Sequence, residues 1–189
     1  MIDQVESGAQ PEIIQHICEI SATLMLDRNK KVQVSACSAL GTYIEHCAEH
    51  IIPFLQPLLS TFVKAIYMYR ARSFIVLCST ISLMANVIGE PIGEGNLPQI
   101  YLPALLESWI RHEHHNNRLL LPLLECLACV ALALRNSIQP WALLIFEKAM
   151  STIETCIMSE ALSASETEHD KPLEEDSDII VCSADLLDG

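Results

Sequence analysis

The run Val32-Gln33-Val34-Ser35-Ala36-Cys37-Ser38-Ala39-Leu40-Gly41 constrains this chain more than any other stretch. Val32, Ala36, Ala39, Leu40 and Tyr43 recur at helical spacing and share one face. Small side chains on that face let a neighbouring helix come close. The run follows a helix ending near Leu26 and a short polar turn, Asp27-Arg28-Asn29-Lys30-Lys31. A helix pair of this kind cannot bury its apolar surface alone, so further pairs must stack on it. Stacked pairs form a solenoid, and a solenoid offers a binding surface before it offers an active site.

The composition agrees with an all-α class. The chain is 51% hydrophobic but only 5% aromatic, so its core must be aliphatic. Six glycines are few for an all-β or nucleotide-binding fold, and little of the sequence alternates with period two. The net charge of −13 disfavours direct contact with nucleic acid or anionic lipid and favours basic partners. The mean hydropathy of +0.32 raises the question of a membrane. Ser73 to Gly89 has no charged side chain but is short for a span, and Leu119 to Leu134 is interrupted by Glu125. Helices buried between neighbours account for the hydropathy without a bilayer.

The apolar pattern divides into helix pairs at about 11–26 with 31–47, 51–69 with 72–88, and 98–111 with 117–134; a fourth helix group runs from about 138 to 161. First helices start near positions 11, 51, 98 and 138, a period of about 40–47 residues that is the HEAT/armadillo range. The expected fold is therefore an all-α, α-α superhelix of about four antiparallel pairs, the last incomplete. The expected organisation is a polar segment at 1–10, helix pairs over 11–162, an acidic flexible loop at 163–177 and a truncated helix at 178–189. Apolar side chains begin almost at once (Ile13, Ile14, Ile17, Ile20), and Ile179, Ile180, Ala184 and Leu187 end the chain with no polar cap. Solenoid ends normally carry polar caps, so an excerpt of a longer solenoid is expected.

Three stretches are more specific than the repeat pattern: 26–33 (Leu-Asp-Arg-Asn-Lys-Lys-Val-Gln), 36–39 (Ala-Cys-Ser-Ala) and 122–127 (Pro-Leu-Leu-Glu-Cys-Leu). Through them the chain resembles the transportins, karyopherin-β nuclear import receptors, from about Pro11 to Leu187. The resemblance implies a concave face lined by the second helix of each pair. That face would bind a basic nuclear localisation signal ending in a proline-tyrosine element. By position it implies cargo-facing roles for Ser38, Glu45 and Glu125, and for Ser79 and Asn86 where the family carries aspartates. Loss of those two charges implies weaker attraction to a basic signal, or different cargo. Nuclear pore proteins and the small GTPase Ran are implied as partners through parts of the receptor outside this stretch, with residence in cytoplasm and nucleus.

Other chemistry is weaker. Cys126-x-x-Cys129 with His112, His114 and His115 has the residue types of a zinc site, but both cysteines share one apolar helix, and zinc ligands usually converge from loops or knuckles. The eight cysteines mostly lie in apolar helical stripes and read as reduced packing residues. A Cys–His hydrolase would need a nucleophile motif, and none is visible, nor is a phosphate-binding glycine loop. Trp109 and Trp141 sit in aliphatic stripes and read as inter-repeat packing. The expectation is a binding protein with no catalytic residues, metal or cofactor. Its alternative is a HEAT scaffold subunit of another complex, with no transport role.

Overall fold

The computed structural model describes residues 10–113, 117–163 and 173–188. These form helices α1 (Gln10–Met25), α2 (Lys30–Ile51), α3 (Leu55–Met68), α4 (Arg72–Ile88), α5 (Leu97–His112), α6 (Asn117–Leu134), α7 (Gln139–Ser163) and α8 (Leu173–Asp188), with no strand among the described residues. Short 3-10 turns at Ile52–Phe54, Glu90–Gly93 and Arg135–Ile138 join one pair to the next. Pro53 and Pro91 fall in the first two turns of this kind, where a missing N–H costs little.

The helices make two layers. The even helices stack on one another, α2 on α4, α4 on α6 and α6 on α8. The odd helices form the companion layer, in which α3 packs on α5 and, less extensively, on α1, while α7 packs chiefly on α8. This is the all-α helical solenoid expected from the period. Two apolar stretches, residues 30–68 and 118–158, are long enough to cross a bilayer by length and composition, yet 44% and 50% of their apolar windows are buried against other helices.

Local chemistry explains the turn between α1 and α2. Asn29 has an extended backbone (φ −86°, ψ 115°) and its side chain accepts from the Lys31 N–H at 2.9 Å, capping α2. Asp27 accepts from the Asn29 N–H at 2.6 Å, and the Gln33 amide donates to the Asp27 carbonyl at 2.7 Å. The turn is closed by its own side chains.

The buried face of α2 is Gln33, Ala36, Cys37, Leu40, Gly41 and Ile44. It is rotated from the face read off the sequence: Ala39 is exposed, and the close approach is made at Gly41. A Cβ on Gly41 would lie 3.3 Å from Cδ2 of Leu83 on α4. At about 100° per residue, the stripe centred on Cys37, Leu40 and Ile44 leaves Ala39 near the opposite side. The helix also bends at Cys47 (φ −135°, ψ 30°) and continues to Ile51, so α3 starts at Leu55 rather than near 51.

Tyr69 ties three elements together. Its hydroxyl donates to the Met25 carbonyl at 2.6 Å and lies 3.6 Å from the Cys37 sulfur. Burial and the neighbouring Cys37 push its phenol well above the ordinary range. Ala71 follows at φ 49°, ψ −126°, a backbone region that favours glycine and stores strain of about 1–3 kcal/mol. At the other end, the helix placed near 178 begins at Leu173. Most of the loop placed at 163–177 lies outside the described residues.

Candidate binding surface

Inter-helix contacts fix how α2, α4 and α6 line up. The Thr80 hydroxyl donates to the Cys37 carbonyl at 3.3 Å, and Gly41 abuts Leu83. Cys78 lies against Cys126, and the Asn86 amide donates to the Cys129 sulfur at 3.6 Å. Residue numbers rise together across each junction, so the three helices run in the same direction.

All five residues singled out from the sequence are exposed on this layer. Ser38 and Glu45 stand two turns apart on α2, Ser79 and Asn86 two turns apart on α4, and Glu125 on α6. The contacts place Ser38 beside Ser79 and Ser79 beside Glu125, one level of the layer. Glu45, Asn86 and Leu132 form the next. Glu45 and Glu125 therefore stand on different levels, with Asn86 and Ser79 as the intervening neighbours.

These polar groups are unequally available. The Ser79 hydroxyl is used by the Ile75 carbonyl at 3.1 Å. Asn86 borders a cavity of about 200 Å³ lined also by Ala85, Cys129, Leu132, Glu90 and Arg135, the last two ion-paired at 2.6 Å.

Glu125 lies within electrostatic range of Cys182 on α8 and of Cys78 on α4. Burial pushes the Cys182 thiol up to about 11, and the carboxylates of Glu125, Asp185 and Asp178 add to the shift. Asp178 and Asp185 thus extend the acidic surface onto α8. They were not singled out from the sequence, although their seven-residue spacing repeats that of 38 with 45 and 79 with 86.

The cysteines carry no visible chemistry of the zinc type. No group of three or more His, Cys, Asp or Glu converges among the described residues, and His114 and His115 lie outside them. Cys126 is fully buried beside Cys78, and this contact together with burial pushes the Cys78 thiol well up, away from reactivity. What the layer can do is present carboxylates, amides and hydroxyls in two-turn steps along parallel helices, an arrangement suited to an extended ligand.

No family model matches the chain. Individual proteins do. It is 34% identical to "Transportin" of Dictyostelium discoideum over 165 residues, 87% of this chain and 18% of that protein. It is 29% identical to human "Transportin-1" over 166 residues, again 87% and 18%. Against "Importin subunit beta-2" of Saccharomyces cerevisiae the identity is 30% over 182 residues, 94% of this chain and 19% of the relative. By these matches the chain is a transportin-like helical solenoid that spans 18–19% of the length of the curated relatives it resembles.

Proposed function

We propose that this chain is part of a nuclear import receptor of the transportin kind, and that the solvent face of its α2/α4/α6 layer takes a basic, proline-tyrosine-type localisation signal of cargo. The observation that carries this reading is the similarity to transportins over 87% of the chain, joined to the exposure of Glu45 and Glu125 on the layer the resemblance assigns to cargo. In this reading the layer is the concave side, and the receptor moves between cytoplasm and nucleus. Ran and pore proteins meet it through other repeats, and it performs no catalysis.

The chemistry is electrostatic. Glu45, Glu125, Asp178 and Asp185 create a field that draws in lysines and arginines of an extended peptide. Each exposed pair is worth only about 0.2–1 kcal/mol, so affinity comes from several together. Ser79 and Asn86 supply hydrogen bonds where a carboxylate would add charge.

Titration calorimetry with a transportin-type signal peptide tests the reading. Glu45→Lys with Glu125→Lys should weaken binding several-fold, more at low salt than at high. Ser79→Asp with Asn86→Asp should strengthen it. If neither pair changes the affinity, cargo uses another surface. If the unaltered chain shows no heat with the peptide, a scaffold role in another complex is the better account.

A further inference from the structure

Carboxylates alone do not account for the cavity between α4 and α6. It holds about 200 Å³ between the last turns of the two helices, with Ala85, Asn86 and Gly89 on one side and Cys129, Leu132 and Ala133 on the other. Ala85 and Ala133 are buried, whereas Asn86 and Leu132 are exposed at the mouth. Leu132 is 60% exposed, more than any other large apolar residue described on the even helices. An exposed leucine by itself is ordinary, but one that stands beside an open cavity adds apolar wall to it. Asn86 and Leu132 lie on the level of Glu45, so the cavity opens on the same face as the carboxylates.

The charges around the cavity cancel. Glu90 follows the end of α4, Arg135 follows the end of α6, and the two pair at 2.6 Å. Arg135 does so at φ 48°, in the left-handed region where a side chain brings strain. Gly89, the first residue after α4, turns at φ 69° without that strain. Glycine would serve after α6 as it does after α4, so the turn does not ask for arginine. What Arg135 adds is a positive charge at the mouth of the cavity, set against Glu90. Backbone strain held at a cavity, by a residue that the turn itself disfavours, points to a role in binding.

We propose that this cavity is a specificity pocket that takes one aliphatic side chain of the bound peptide, and that Arg135 keeps a basic side chain out of it. The inference rests on the reading that this face binds an extended basic peptide. Size and lining suit the occupant: a dry apolar cavity of about 150 Å³ already holds a benzene ring. In a chain of net charge −13, an open cavity beside Glu90 would otherwise draw lysine or arginine. Arg135 is the repulsive element that a choice between side chains requires. Spacing places the pocket within the same peptide. Neighbouring helices lie about 8–10 Å apart, so a point midway between α4 and α6 is about 12–15 Å from α2, which carries Glu45. That is about four extended residues at about 3.3 Å each. The aliphatic residue therefore follows or precedes, by about four positions, the lysine or arginine that meets Glu45.

The test is fluorescence anisotropy on the whole chain with three labelled transportin-type signal peptides. They differ only in carrying leucine, alanine or lysine about four residues from a lysine. The leucine peptide should bind about fivefold more tightly than the alanine peptide, and the lysine peptide no more tightly than alanine. The leucine peptide should also slow iodoacetamide labelling of Cys129, read by mass spectrometry, and leave the rate at Cys47 unchanged. Leu132→Ser should abolish the preference for leucine while the alanine peptide binds as before. Arg135→Gly should bring the lysine peptide up about threefold or more, by uncovering Glu90, without lowering the thermal midpoint. Equal binding of the leucine and alanine peptides overturns the pocket and leaves the acidic surface standing. A leucine preference that survives Leu132→Ser, or that leaves Cys129 unprotected, places the leucine elsewhere and also overturns it. A lysine peptide unimproved by Arg135→Gly overturns the role of Arg135. No binding by any of the three overturns the cargo reading itself and the pocket with it.

Discussion

The two layers of the solenoid treat solvent differently. On the odd layer, exposed side chains include Ile13, Ile20, Leu24, Ile110, Leu143, Phe146, Ile157 and Met158. On the even layer the large exposed apolar residues are few, chiefly Val87, Leu132 and Val181, and between them stand Ser38, Glu45, Ser79, Asn86 and Glu125. Both layers bury their facing stripes equally well: Leu40, Ile44, Phe74 and Leu123 on one side and Phe62, Leu105 and Trp109 on the other are fully buried. The difference lies only in the outward face. Core packing specifies the stack, and the odd layer exposes more large apolar side chains among its own charges, such as Glu19, Glu107 and Glu154.

The largest test of that comparison sets a buried odd-layer residue against an exposed one. Trp109→Ala should cost about 3–5 kcal/mol, because a large side chain fully enclosed between helices leaves a cavity. Leu143→Ser, at 70% exposure, should shift stability by no more than about 0.5 kcal/mol. Urea titrations of both measure this. A large loss at Leu143 would mean that the outward odd face is packed in solution and the contrast between layers is false.

A smaller effect sharpens the join between the layers. Tyr69→Phe keeps the ring but strands the buried Met25 carbonyl, at a cost of about 1–3 kcal/mol. Hydrogen exchange should then rise at the end of α1 and the start of α2 before it rises in α6. Uniform loosening would show that Tyr69 is not a local pin.

The smallest effect concerns the acidic end of the even layer. The Cys182 thiol has a folded pKa of about 11, raised from an ordinary value of 9.0. A raised pKa contributes stability that is fully present below pH 9 and lost as pH rises toward 11, so the fold should weaken in that window. Glu125→Gln removes one of the charges responsible, and iodoacetamide should label Cys182 faster at pH 8. An unchanged rate would place Glu125 away from α8 and shrink the acidic surface to α2 and α6.

Much of this was legible in the sequence, for a specific reason. The period of apolar residues located the helices, and the Asp27–Lys31 turn and the proline positions bounded them, because those signals are local and each depends on a few neighbouring residues. The second helix of the third pair, 117–134, is placed with the same ends by pattern and by structure. Ser38, Glu45, Ser79, Asn86 and Glu125 were legible through the resemblance to transportins; helical spacing by itself showed only that Ser38 and Glu45, two turns apart, share a face.

What the sequence could not supply is register between elements. Gly41 rather than Ala39 is the point of close approach because Leu83 lies opposite it. Glu45 and Glu125 fall on different levels because Thr80 meets Cys37 and Asn86 meets Cys129. Asp178 and Asp185 join the surface only once α8 docks on α6. By itself the sequence determined that this protein is a helical solenoid with a polar, acidic-leaning helix face, since periodicity and composition act within each helix. The tertiary structure alone decided which charges stand together, because interdigitated side chains set the offset between helices and that offset depends on the shape of both partners.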